Sequence, residues 1–199
     1  MITIITNFLW VLFFEFIPNF FSTSGVVNVV QEYQKKRPWY AIGFAVISGV
    51  LTFLSIAALE GRKLLATTQT PGLSLNEMPI SNIIIGCLIF TAGIFGAAKY
   101  YQWKKTTVKT DIILGVSAAL LLSAMEIGMI AMTEGPKQVS VLRMVSHTVA
   151  FLIAFPVTVA GLRKTIEMKE GKTLPLLLLV TLIMTAIITA VDYGPFLKN

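Results

Sequence analysis

Read for its pattern of apolar and polar positions, the chain divides into six apolar stretches parted by short polar ones. A helix of about 20 mostly apolar residues is long enough to cross a bilayer. Six segments qualify, at 2–21, 39–59, 80–98, 112–132, 139–161 and 174–192. The longest connection, residues 60–79, carries the Pro, Gly and Asn of a surface loop. No stretch leaves room for a soluble domain, so residues 1–199 read as one integral membrane domain. The expected fold is all-α and polytopic, with six transmembrane helices.

Within the spans, small and polar residues recur at helical spacing, as expected of faces turned toward other helices rather than toward lipid. In the second span the face is Ala41, Ala45, Ser48, Thr52 and Ser55; in the fourth it is Gly115, Ala119, Ser123 and Glu126. The fifth has Arg143, His147, Ala150, Ala154 and Thr158, and the sixth Thr181, Thr185, Thr189 and Asp192. In the third span, Gly86, Gly93 and Gly96 are expected to let another backbone approach closely.

The ionisable residues fall on these same faces. Glu15 lies with Asn7, Pro18, Asn19 and Ser22 inside an arc of about 120° on a helical wheel. An intramembrane charge costs about 2.5–3.5 kcal/mol on the mildest insertion scale, so such residues line a path or pair with one another. Pro18 lacks an N–H and deprives the Phe14 carbonyl of its partner, so a helix break beside a carboxylate is expected there. Glu126 and Arg143 are equidistant from the turn "TEGPK" at 133–137, which predicts a salt bridge across an antiparallel hairpin. That pair would serve as a tether or, if substrate or protons compete for Glu126, as a gate. His147, one turn from Arg143, titrates near neutral pH in an ordinary setting, and Asp192 ends the threonine series of the sixth span. Glu15, Asn19, Glu126, Arg143, His147 and Asp192 are therefore the candidate substrate- or ion-binding residues, with Pro18 as the helix break.

Composition agrees with the pattern. The chain is 55% hydrophobic and 13% charged, with a mean hydropathy of +0.78, against about 25% charged in soluble domains. Its net charge of +6 is a topology signal and not a nucleic-acid surface. Eleven of the 16 Lys and Arg residues follow spans one, three and five. Positive residues are retained on the cytoplasmic side, so both termini are expected outside, in a prokaryotic cytoplasmic membrane. No Lys or Arg precedes Lys35, so the first segment is expected to be a retained helix and not a cleaved leader.

One cysteine, Cys87, and one histidine leave no disulfide, no bis-histidine haem and no multi-cysteine cluster. No nucleophile–base pair is visible, so no enzyme activity and no cofactor are expected, and no metal is assigned. Asp111 is the only acidic residue at the start of an inner-side span, thin support for a lipid enzyme. The two halves, spans one to three and four to six, each open with a helix carrying a glutamate, "FFEF" and "AMEI". They read as a candidate 3+3 inverted repeat, a common carrier plan.

The stretch "IPNFFSTSGVVNVVQEYQKKRPWYAIGFAVISG" orders a proline-containing first span, a basic turn and a glycine-containing second span. In that order and in span count the chain resembles the LysE-type exporter superfamily over roughly residues 13–50. It lacks the second proline of that family's first-span motif and the Asn-Pro-Lys signature of the fourth span. It also has Glu15 and Glu126 where metal-exporting relatives use aspartates. The resemblance implies a small exporter. The resulting expectation is a secondary transporter, proton- or ion-coupled, exporting a small solute or cation. The alternative is a non-catalytic accessory subunit of a larger membrane complex. The expected partners are the bilayer, the transported species, and further copies or other chains.

Overall fold

A computed structural model describes residues 2–64, 79–103, 107–133, 141–168 and 172–193; the side chains of 59–64, 125–133, 142–143 and 192–193 lie outside the description. Six helices follow in chain order: α1 (Ile2–Gln34), α2 (Pro38–Leu64), α3 (Ile80–Gln102), α4 (Val108–Thr133), α5 (Val141–Glu167) and α6 (Thr173–Ile188). A π-helical segment, Thr189–Tyr193, continues α6. There is no strand among the described residues. Five of the helices are long and apolar enough to cross a membrane, and α4 adds a 26-residue helix.

The helices outrun the apolar stretches, α1 most of all. It continues 13 residues beyond the predicted span through "STSGVVNVVQEYQ". The hydroxyls that would otherwise break it are absorbed within the helix. Ser22 and Thr23 donate to the Asn19 carbonyl at 3.0 and 2.7 Å, and Ser24 donates to that of Phe21 at 3.1 Å. Val26, Val27, Val29 and Val30 are then buried, so packing overrides the modest helix propensity of valine.

The expected break at Pro18 does not occur: α1 is unbroken through it, as α5 is through Pro156. A proline removes one helical hydrogen bond, and in a membrane bundle neighbouring helices hold the remainder in place. The helix ends at a Schellman turn. The Arg37 amide donates to Glu32 and the Lys36 amide to Tyr33, with Lys36 at φ 59°. Pro38 then opens α2 at the first helical position, where its missing N–H costs nothing. This short turn lays α2 back along α1.

α1 is the centre of the bundle, packed against α2, α3, α5 and α6, while α4 lies along α5. The main core joins the C-terminal half of α1 to α2, α3, α5 and α6 through Val27, Val30, Ala41, Ile94, Leu162 and Leu177, among others. A smaller cluster, Val11, Ala154, Met184 and Ile188, joins α1, α5 and α6.

The described members of the predicted inward faces on α2, α4, α5 and α6 are buried, with Ser55 half-buried; Glu126, Arg143 and Asp192 of those faces lie outside the described side chains. The α3 face is a correction. Gly93 and Gly96 are exposed with nothing within 4 Å, and Gly86 meets only the Phe53 ring. The buried residues of α3 are Ile94 and Ala98. Close backbone approach happens elsewhere. A Cβ at Gly49 would lie 2.6 Å from the Thr91 nitrogen, and one at Gly115 2.6 Å from the Pro156 Cα.

Candidate functional site

The polar face of α1 meets the threonine face of α6 along the middle of the bundle. Gln31 reaches Thr173 at 3.5 Å, Thr23 meets Thr181 at 2.8 Å, and Asn19 donates to Thr185 at 3.2 Å. The steps along α1 and α6 are equal and opposite, so these pairs are rungs of one antiparallel register. The rung between the first two is apolar, Val27 against Leu177, both buried. A polar seam thus begins at Thr23 and Thr181 and is closed by the main core toward the C-terminal end of α1.

Proton counting gives the bonds in this seam a direction. A hydroxyl donates one proton. Thr23 spends its proton on the Asn19 carbonyl, so in the 2.8 Å contact Thr181 donates to Thr23. Asn19 Nδ2 donates to Thr185, whose own proton goes to the Thr181 carbonyl at 2.8 Å. Both rungs are therefore satisfied, as buried polar groups must be.

One turn further out, the same register sets Glu15 opposite Thr189. Glu15 is half-buried and Thr189 is fully buried. The Thr189 hydroxyl breaks the pattern of its neighbours and finds no hydrogen-bond partner among the described residues. It is also the first residue of the π-helical segment. Such π turns recur at functional sites because they re-aim side chains and carbonyls.

The other predicted residues divide by what is described. His147 is 6% exposed on the inward face of α5, its ring 4.2 Å from that of Phe151. The side chains of Glu126, Arg143 and Asp192 lie outside the described residues, so the Glu126–Arg143 bridge has no geometry here. The structure brings together Glu15, Asn19 and, beside them, Pro18, all on α1 and facing the bundle.

A second charged cluster sits where α3 and α5 end and α4 begins. Asp111 is 0% exposed and takes two bonds from Arg163, through Nε and Nη2, and one from the Tyr100 hydroxyl at 2.6 Å. The Arg163 guanidinium also lies over the Tyr100 and Tyr101 rings, at 5.8 and 5.4 Å, and Tyr101 donates to the Val159 carbonyl at 2.9 Å. Asp111 stands in the first turn of α4, favourable for a carboxylate. Thr107 and Thr110 cap that turn reciprocally. The cluster ties the ends of α3, α4 and α5 together. Sequence reasoning singled out Asp111 but not its partner. The available signal was a carboxylate in the first turn of α4 near many cations, which says that it pairs but not with which one.

No family model matches the chain, and no curated protein or solved structure matches it.

Proposed function

We propose that the chain is a small secondary membrane transporter, proton- or ion-coupled, that exports a small solute or cation through the α1–α6 seam. One observation carries this reading. A column of buried threonines, Thr23, Thr181, Thr185 and Thr189, runs with the half-buried Asn19 between two helices of an apolar bundle and leads to an ionisable residue, the half-buried Glu15. Helix packing alone needs no such column, since small apolar residues pack helices without desolvating polar groups.

In this reading α4 is the sixth span, both termini face outward, and the membrane is a prokaryotic cytoplasmic one, all in keeping with the charge asymmetry of the loops. Glu15 and Glu126 are the coupling carboxylates of the two halves, with Arg143 competing for Glu126 and with His147 and Asp192 nearby. A 3+3 inverted plan fits the span count. The two first helices have different surroundings, however, α1 at the centre and α4 along α5. The likeness to LysE-type exporters supports the export direction. No catalytic role is proposed.

Alternating access tests this without knowing the substrate. A single cysteine at Thr185, in a Cys87→Ser background, should be labelled by a membrane-impermeant thiol reagent from one side under one imposed proton or sodium gradient. It should be labelled from the other side under the reverse gradient. Labelling that never changes side contradicts transport.

The second reading, an accessory subunit in a homo-oligomer or larger complex, is favoured by one observation. The outer face of α3, with Leu88, Ile89, Gly93 and Gly96, is exposed. Stoichiometric co-purification of another chain in mild detergent, lost on Gly93→Leu substitution, would select it.

A further inference from the structure

We infer that the first turns of α2 bind one anionic phospholipid of the surrounding bilayer, its acyl chain in an apolar groove and its phosphate at Arg37. The inference goes beyond the transporter reading and does not depend on it; it needs only that the helices lie in a membrane. The groove is lined by Trp39, Tyr40, Gly43, Phe44 and Ile47 and has a volume of about 280 Å³. These five residues share one face of α2, turned away from the buried face of Ala41, Ala45, Ser48 and Thr52. Gly43 is the notch in that face, since a Cβ there would meet nothing within 4 Å. Trp39 and Tyr40 are exposed at its mouth, as rings at a membrane–water interface are.

Any apolar face of a spanning helix meets lipid; the charged end of this one makes it a site. The Arg37 guanidinium lies over the Tyr40 ring, 5.9 Å from its centre, so the cation stands beside a wall of the groove. Lys36 precedes it in the tight turn, at φ 59°. Of the three successive cations, Lys35 is spent on Glu32 at 3.3 Å. Neither Lys36 nor Arg37 has an ion-pair partner among the described residues. The groove therefore begins at two uncompensated positive charges and continues as hydrocarbon.

That sequence of chemistries narrows the ligand. The walls offer almost no polar surface, which excludes a polar solute. From Trp39 to Ile47 the groove follows α2 for about 12 Å. This keeps it within one leaflet of a hydrocarbon core about 30 Å thick, the path of an acyl chain below its headgroup. A zwitterionic headgroup carries its own cation against its phosphate. An anionic headgroup does not, and so matches Lys36 and Arg37, as basic clusters at membrane surfaces match anionic lipids.

Quenching of Trp39 by brominated lipid tests the inference. The full-length chain with Trp10→Phe and Trp103→Phe keeps Trp39 as its sole tryptophan. It is reconstituted in phosphatidylcholine bilayers that contain chain-brominated phosphatidylglycerol or chain-brominated phosphatidylcholine. The phosphatidylglycerol should be preferred at Trp39 by about tenfold. Lys36→Gln with Arg37→Gln should remove most of that preference; both residues are exposed, so the fold does not depend on them. Gly43→Leu should remove it too, by filling the notch while leaving both charges. Gly96→Leu, on the exposed face of α3, should leave it intact. Equal quenching by the two lipids overturns the inference. So does a preference that survives Gly43→Leu, since the attraction is then to charge alone, or one that survives loss of both cations. Absence of quenching by either lipid also overturns it, because a second copy or another chain then covers the groove.

Discussion

The Asp111–Arg163 pair offers a prediction whose size follows from unequal burial. Asp111 is fully buried, whereas the Arg163 side chain is 17% exposed near the C-terminal end of α5. Removing one partner of a buried ion pair costs about 3–5 kcal/mol, because the other charge is stranded. Arg163→Met strands Asp111, which keeps only the Tyr100 hydroxyl and cannot reach water, so the upper end of that range is expected. Asp111→Asn strands a long guanidinium that can turn toward the interface and keep its contact with the Tyr100 and Tyr101 rings. Its expected loss is smaller, about 2–3 kcal/mol. The double variant removes both charges and should lose less than the two single losses combined, with a coupling of at least about 1 kcal/mol. Reversible unfolding in mixed micelles, followed by tryptophan fluorescence, measures all four corners of the cycle. A coupling below about 0.5 kcal/mol would refute a clamp at this position. An aspartate variant worse than the arginine variant would refute the argument from exposure.

The glycines and the seam make two further predictions. Gly49→Ala and Gly115→Ala place a Cβ 2.6 Å from backbone atoms of Thr91 and Pro156, and should lower the midpoint of thermal unfolding. Gly93→Ala and Gly96→Ala meet nothing within 4 Å and should leave it unchanged or raise it, since alanine is favoured over glycine in a helix by about 0.5–1 kcal/mol. Equal losses at all four positions would contradict the packing described. In the seam, Thr181→Val removes the proton donated to Thr23 and should cost about 0.6 kcal/mol, up to 1.7, as membrane hydrogen bonds do. Thr23→Val removes both the acceptor for Thr181 and the bond to the Asn19 carbonyl, which keeps Ser22 as a donor; it should cost more, and the same unfolding measurement ranks the two.

Much of the architecture was legible because a bilayer imposes simple rules. Apolar length marks the helices, and a lipid-facing surface disfavours polar side chains. The last rule is why Ser48 and Thr52, Ser123, His147, and Thr181 with Thr185 and Thr189 could be set inward from spacing alone, and all are buried. It fails for glycine, which is neutral toward lipid and toward protein. Gly93 and Gly96 look like a packing stripe in sequence and face outward in the structure. Helix ends were also underestimated at Ser22–Ser24, because hydroxyls that bond their own helix carbonyls do not interrupt it.

Sequence alone therefore determined that the chain is a helical membrane protein with polar faces turned inward, and that Glu15 and Asn19 share one of them. These follow from local periodicity and from the penalty for charge in hydrocarbon. Only the tertiary structure decided which faces meet. It put α1 at the centre, matched Asn19 to Thr185 and so Glu15 to Thr189 across more than 160 residues, and gave Asp111 its arginine from 52 residues away. The physical reason is that a one-dimensional pattern records what each position excludes, lipid or water. The choice of partner is made by the three-dimensional register in which glycines, prolines and threonines allow the helices to close.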